Sequence, residues 1–234
     1  MLLTISTHDP FPINEQDRYL QKVEQRFATP NLTADQQKDR RNYNYQFASI
    51  LYTDNALRAF FAAYRKRRDF GRTIFLITGD HRMPEIPMTT KLDRYHVPLI
   101  VYSPLLKRQA IFRSISTHFD ITPTLLAFLG KNYTLKTPSV VSWLGTGIDT
   151  TRQFQNVHAY PLKMKKAEVV DFVTGSYMLN QNTLYQINNN MNLESIKEPS
   201  QLSRLNAAFD QFKRKNERLQ NSKLLPDSLL NQYN

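Results

Sequence analysis

Two continuous apolar runs, each bounded by residues that interrupt regular structure, constrain this chain most. Thr73-Ile74-Phe75-Leu76-Ile77-Thr78 lies between Gly71 and Gly79, and Val97 with Leu99-Ile100-Val101-Tyr102 is entered at Pro98 and stopped by Pro104. A strand with one solvated face alternates apolar and polar residues, whereas one that is apolar throughout needs cover on both faces, as in mostly parallel sheets. Helical patterns accompany the runs. One opens at Thr33 with Gln36 as capping-box partner, carries Phe47, Ile50, Leu51, Leu57, Phe61 and Tyr64, and is expected to end near Arg68. A second, capped by Asp120 or Thr122 with Pro123 in its first turn, carries Leu125, Leu126, Phe128 and Leu129 and is expected to end at Gly130. Leu2-Leu3-Thr4-Ile5-Ser6 reads as a further buried strand, and residues 9–32, with Pro10, Pro12 and Pro30, as a loop. This alternation predicts an α/β fold, a mostly parallel sheet sandwiched by helices.

The texture changes after about residue 150. Val169–Val173 and Tyr177–Leu179 pattern as a hairpin turning at Gly175, Leu184–Ile187 as a third strand, and residues 188–190 as an Asn-rich turn. From Pro199, Leu202, Leu205, Phe209 and Phe212 mark one face of a helix. The expected division is an α/β part over 1–150, a small β-rich subdomain over 151–198, and an amphipathic helix and tail over 199–234.

Composition narrows the chemistry. With 41% hydrophobic and 22% charged residues over 234 positions, a packed core is expected. The absence of cysteine excludes disulfides, thiolate zinc sites and a cysteine nucleophile. Neither glycine-rich phosphate-binding pattern is present, and the chain has 6 glycines. No apolar run reaches transmembrane length and the start has no signal-peptide pattern, so an export signal or anchor is expected outside this chain. The net charge is +11. Its basic runs are Arg65-Lys66-Arg67-Arg68, Lys163 with Lys165 and Lys166, and Lys213-Arg214-Lys215 with Arg218. Such runs attract phosphate, but they equally suit the solvated last turns of helices. No aromatic-interleaved RNA motif accompanies them, so no nucleic-acid partner is expected.

In open α/β sheets ligands collect past the carboxyl ends of strands. The strand at 73–78 runs into Gly79-Asp80-His81, and the one at 2–6 into Thr7-His8-Asp9-Pro10-Phe11. Asp80 offers a hard oxygen and His81 a borderline nitrogen, a pair that suits Zn²⁺ or Mn²⁺ better than Ca²⁺. An isolated Asp-His pair equally fits a loop-capping carboxylate beside a surface histidine. His8 fits a ligand, a proton-transfer group or a phosphate contact, and also a histidine bonded to backbone. His96 opens the strand at 97–102, His118 precedes a helix, and His158 has no supporting context.

Taken in order, the elements are more specific. Thr7-His8-x-Pro10-Phe11 is followed by Tyr52-Thr53-Asp54-x-Ala56-Leu57-x-x-Phe60. Thr73-Ile74-x-x-x-Thr78-Gly79-Asp80-His81 comes next, then Val97-Pro98-Leu99-Ile100-Val101-Tyr102-Ser103-Pro104 and Asp120-Ile121-x-Pro123-Thr124-Leu125-Leu126. The series, over roughly residues 1–190, resembles the sulfatase-like branch of the alkaline phosphatase superfamily, most of all lipoteichoic-acid synthase and phosphoethanolamine transferase catalytic domains.

The resemblance implies that Asp80 and His81 bind the catalytic divalent metal, Zn or Mn, and that His8 contacts the substrate's phosphate. His96 matches a position where some members place a ligand or substrate histidine. Two departures stand out. Arg82 follows the Asp-His pair where the family usually has Gly, and its guanidinium suits an anionic substrate. The family's Thr or Ser nucleophile and a further acidic metal ligand come from upstream of the Thr7-x-x-Pro10-Phe11 element, so no catalytic nucleophile is expected in this chain and a missing N-terminal part of the same enzyme is implied. The implied function is transfer of a phosphoglycerol or phosphoethanolamine group to an envelope lipid or glycan, with an anionic phospholipid-derived or sulfated or phosphorylated glycan substrate, on the outer face of the cytoplasmic membrane. A sulfatase or phosphodiesterase is the alternative enzyme, and a non-catalytic binding module the alternative of another class.

Overall fold

The computed structural model describes residues 4–28, 32–138, 140–141, 143–165 and 168–217. The chain forms two compact units, one of Met1–Thr89 with His96–Arg108, the other of Thr90–Tyr95 with Gln109–Asn234.

The first unit opens with a helix in the stretch expected to be a loop. α1 spans Gln16–Phe27. The prolines at 12 and 30 bound it instead of interrupting it, and Tyr19, Val23 and Phe27 recur four apart to form its buried stripe. The capping box at Thr33 and Gln36 forms as read and starts α2, Ala34–Arg41. The single long helix expected there is two, because α2 has no apolar stripe and buries nothing; the chain turns at Asn42–Tyr43 and α3 begins, Asn44–Tyr64. α1 and α3 share a core around Ala48. Phe27 meets Phe47 edge-on at 5.3 Å, and Tyr19 meets Tyr52 at 5.4 Å. Arg41 holds the Glu24 carboxylate with two nitrogens. α3 ends at Tyr64, short of Arg68, and the four basic residues after it are exposed at the helix end.

Both apolar runs form strands, β1 (Phe75–Thr78) and β2 (Leu99–Tyr102). They pair antiparallel, Phe75 opposite Tyr102 and Thr78 opposite Leu99. The α/β class holds, but every strand pairing among the described residues is antiparallel, because apolar content reports a demand for cover and carries no information on strand direction. Phe61 and Tyr64 of α3 pack on Phe75 at 4.9 and 5.0 Å, and Phe61 reaches Tyr102 at 5.3 Å. Leu76, Ile100 and Val101 stay exposed, so the ribbon is only partly covered within this unit. Of the strand read at 2–6, Leu2 and Leu3 lie outside the described residues; Thr4 to Ser6 form no strand and Ile5 is exposed.

The second unit is built on a five-stranded antiparallel meander. Its strands are β3 (Ala159–Lys165), β4 (Glu168–Thr174), β5 (Tyr177–Asn180), β6 (Thr183–Ile187) and β7 (Leu193–Ile196). The hairpin turns at Gly175, whose φ of 54° is the left-handed value that glycine accepts without a steric cost. Alternation sends neighbours to opposite faces. Val173, Met178, Tyr160 and Ile187 enter one cluster with Leu92 and Ile115, while Phe172, Leu179 and Leu184 enter the other. The second cluster is closed by a helix at Pro199–Glu217, through Leu205 and Phe209 with Leu202 and Phe212 beside them, as its spacing predicts. β3 and β7 were not foreseen: β3 carries Lys163 and Lys165 and β7 is four residues long with Glu194, so neither shows an uninterrupted apolar pattern. Lys166, Arg218 and the tail after residue 217 lie outside the described residues.

The helix α4, Ile121–Tyr133, runs past Gly130 and ends at Thr134 in the left-handed region. Asp120 does not cap it. Its carboxylate is fully buried and accepts five hydrogen bonds: from the Thr117 amide (2.8 Å) and hydroxyl (3.3 Å), the Thr146 and Gly147 amides (3.1 Å each), and the Tyr160 hydroxyl (2.6 Å). A Cβ at Gly145 would collide with the Phe119 carbonyl, so glycine is required where this loop crosses.

Leu205 is fully buried, and Leu205→Ala should cost about 2–5 kcal/mol, read as a lower urea midpoint at unchanged slope. Burial first, and then the hydrogen bond to Asp120, pushes the Tyr160 hydroxyl up to about 12 from its ordinary value near 10. A raised phenol favours folding fully below the unfolded value, and that contribution is lost as pH rises towards the folded one. The wild type should therefore lose stability between about pH 10 and 12, and Tyr160→Phe should be less stable at neutral pH with a flatter alkaline profile.

Candidate metal centre

The corner at the end of β1 is made by local backbone. Gly79 stands at the turn: a Cβ there would lie 3.2 Å from the His81 carbonyl oxygen and 3.4 Å from Val97, so a side chain would push the neighbouring atoms by a few tenths of an ångström. The His81 amide donates to Asp80 Oδ1 at 3.0 Å, which leaves Oδ2 outward. The His81 ring sets its Nδ1 2.7 Å from the Arg82 carbonyl, which can only accept, so the proton sits on Nδ1 and Nε2 keeps its lone pair. Asp80 Oδ2 and His81 Nε2 then lie 3.9 Å apart on the same side. Two donors at about 2.0–2.1 Å from a tetrahedral ion are about 3.3 Å apart, so a small side-chain rotation lets one ion touch both. A carboxylate, an imidazole lone pair and a backbone carbonyl holding the far ring nitrogen form a donor set that fits a divalent ion. Both side chains are largely exposed, at 79% and 61%.

The other expected site residues divide. His8 sits in a tight turn anchored by the buried Phe11: its amide donates to the Ile5 carbonyl at 3.0 Å, and its carbonyl accepts the Phe11 amide at 2.6 Å. Its Nδ1 lies 2.9 Å from the Asp9 carbonyl, the same device as at His81, so Nε2 is presented outward. His96 is exposed at the residue where the chain re-enters this unit. Arg82 turns its guanidinium onto the Ile86 carbonyl of its own loop. Among the described residues no group of three metal-ligating side chains occurs, so Asp80 and His81 come together while neither His8 nor His96 joins them as a third ligand.

A buried titratable cluster escaped the sequence reading. His158 is buried beside Asp120, with its Nδ1 3.1 Å from the Thr146 hydroxyl, its ring stacked on Tyr160 at 4.9 Å, and its Nε2 4.0 Å from Asp120. The available signal was the two-residue spacing of His158 and Tyr160, which puts both on one side of an extended chain.

The family model described as Sulfatase matches residues 1–131. This chain belongs to the sulfatase family. The matched stretch contains the Asp80–His81 corner, His8 and His96, and the superfamily generally uses a divalent metal, which the donor set fits. Among solved structures, the lipoteichoic acid synthase LtaP from Listeria monocytogenes has a similar fold, with a TM-score of 0.56 at 17% identity over 94% of this chain. The match covers 53% of that chain, so this sulfatase-family chain spans about half the length of the solved relative. No curated protein matches it.

The His81 ring should give the Nδ1–H tautomer in long-range ¹H–¹⁵N spectra of the metal-free protein, and addition of Mn²⁺ should broaden the His81 signals first.

Proposed function

We propose that this chain carries the metal-binding corner of a metal-dependent phosphotransferase of the sulfatase-like superfamily, one that moves a phosphoglycerol- or phosphoethanolamine-type group onto an envelope lipid or glycan. The observation that carries the reading is the pairing of Asp80 Oδ2 with a lone-pair-bearing His81 Nε2, 3.9 Å apart, at the end of β1. The family and the LtaP-like fold give that pair its context. An Asp-His pair, instead of Asp-Asn, favours phosphoryl over sulfuryl chemistry.

Asp80 and His81 would hold a divalent ion, Zn²⁺ or Mn²⁺, which when bound would supply charge stabilisation and Lewis acidity at an ester oxygen. The chain's own residues then have distinct tasks. Asp80 contributes a formal negative charge and His81 a neutral donor. The Arg82 carbonyl fixes the His81 ring so that its lone pair is already aimed. His8, with Nδ1 tied to the Asp9 carbonyl, offers Nε2 to a non-bridging phosphate oxygen, donating when the ring is protonated. Arg82 adds positive charge beside the anionic ester. The attacking Thr or Ser hydroxyl belongs to a further segment of the same enzyme. The exposed apolar residues Leu76, Ile100 and Val101 on β1 and β2 support a partner of that kind, since strands apolar at successive positions are ordinarily covered. The enzyme so completed faces the outside of the cytoplasmic membrane.

A sulfatase is the second reading, favoured by the description of the matching family model. Titration calorimetry with Mn²⁺ or Zn²⁺ should give one weak site, with Asp80→Ala and His81→Ala each weakening it at least ~10-fold. The unaltered chain should leave a chromogenic phosphodiester and a chromogenic sulfate ester intact. Metal-dependent turnover of the phosphodiester that disappears in Asp80→Ala would overturn the need for a further segment; turnover of the sulfate ester instead would select the sulfatase.

A further inference from the structure

We infer that Thr146 is an acyl-accepting nucleophile whose hydroxyl is activated by the buried His158 and Asp120, in a site independent of the metal corner. The three groups stand in line. Thr146 is exposed, and its Oγ lies 3.1 Å from His158 Nδ1. The His158 side chain is 3% exposed, and its Nε2 lies 4.0 Å from Oδ2 of the fully buried Asp120. An exposed hydroxyl thus meets an imidazole that is itself backed by a carboxylate, the order of groups that general-base activation of a hydroxyl needs.

The direction of the Thr146–His158 hydrogen bond follows from the carboxylate. A neutral imidazole carries one proton, on either nitrogen. With that proton on Nδ1, the Nε2 lone pair would face the Asp120 charge in a desolvated site, where repulsion is least screened. With the proton on Nε2, the N–H dipole points at the carboxylate, Nδ1 keeps its lone pair, and the Thr146 hydroxyl donates to it. Nε2 has no hydrogen-bond partner among the described residues, and 4.0 Å is too long for a hydrogen bond though short enough for charge attraction. An unmet buried donor costs stability and calls for a reason. A base whose protonated form gains from the carboxylate behind it supplies one.

The arrangement is rigid. The His158 ring stacks on Tyr160 at 4.9 Å, and the Asn156 side chain brackets the His158 backbone, accepting from its amide at 2.9 Å and donating to its carbonyl at 3.0 Å. The Thr146 and Gly147 amides donate to Asp120 Oδ1, and the Ile148 amide to the Thr124 hydroxyl at 2.8 Å. Asp120 is therefore a positioning residue here: it anchors the backbone that carries the nucleophile and orients the imidazole that serves it. Leu144 and Phe119 are 47% and 45% exposed, and Gly145, between Leu144 and Thr146, lies against the Phe119 backbone. Two exposed apolar side chains around the hydroxyl suit the hydrocarbon part of an acyl group better than a phosphate.

The step balances with an activated carboxylic ester as co-reactant. Thr146 Oγ attacks the ester's carbonyl carbon while its proton passes to His158 Nδ1. The Oγ–C bond forms, the bond from that carbon to the leaving oxygen breaks, and the leaving oxygen takes the proton from Nδ1. The products are an ester on Thr146 and a free alcohol or phenol.

The test is acetylation of the full chain by 4-nitrophenyl acetate in EDTA, with the acetyl group located and quantified over time by peptide mass spectrometry. Thr150, exposed in the same loop, is the internal reference. Thr146 should acetylate ~100-fold faster than Thr150. His158→Asn leaves a side chain that accepts from the Thr146 hydroxyl but cannot take its proton, and should bring Thr146 down to the Thr150 rate with an unchanged circular dichroism spectrum. Thr146→Ser should keep the fast labelling at that position, and Asp80→Ala should label Thr146 as the wild type does. Comparable rates at Thr146 and Thr150 in the unaltered chain would overturn the inference, whether or not the His158 variant folds. Fast labelling of Thr146 that persists in a folded His158→Asn chain would overturn it as well.

Discussion

A carboxylate with no water around it must be met by donors, and the second unit is organised around meeting that demand at Asp120. Five donors from three stretches of chain converge on it: Thr117 before α4, Thr146 and Gly147 in the loop after it, and Tyr160 on β3. Each stretch is thereby fixed against the others, and β3 is the edge from which the meander is built. Two residues beyond Gly147 the chain reaches Asp149, a second saturated carboxylate, which orders the loop carrying Arg152 and Phe154. Separating a buried carboxylate from its donors costs several kcal/mol, comparable to a core truncation.

The metal corner follows the opposite logic. Asp80 and His81 are exposed, so neither is forced into place by desolvation. Short-range bonds to neighbouring backbone position them, the His81 amide on Asp80 and the Arg82 carbonyl on the His81 ring. Such an arrangement orients both side chains at little cost while leaving them open to solvent. On the same unit Leu76, Ile100 and Val101 of β1 and β2 are exposed as well.

Much of the fold was legible because its signals are local. The capping box at Thr33 and Gln36, the hairpin at Gly175, both apolar strands and the stripe of Leu202, Leu205, Phe209 and Phe212 each depend on residues within a few positions of one another. What was misread has one cause in each case. Residues 16–27 passed for loop because flanking prolines outweighed a four-residue apolar spacing. α2 and α3 were merged because periodicity does not reveal a turn that follows a stretch with nothing to bury. β3 and β7 escaped because charged edge strands carry little apolar signal. At the corner, adjacent residues on a regular strand point apart, but the strand end after Gly79 was readable as a place where Asp80 and His81 can converge; the 3.9 Å between Oδ2 and Nε2 was not.

The sequence by itself determined the class of the fold, the family and the chemical character of the corner, because ordered motifs and side-chain chemistry are properties of the chain in one dimension. Tertiary structure alone decided strand direction and the gathering of Asp120, Thr146, His158 and Tyr160. Those residues are separated by up to 40 positions, Asp120 to Tyr160, and only the requirement that buried charge and buried apolar surface be satisfied together brings them to the same place.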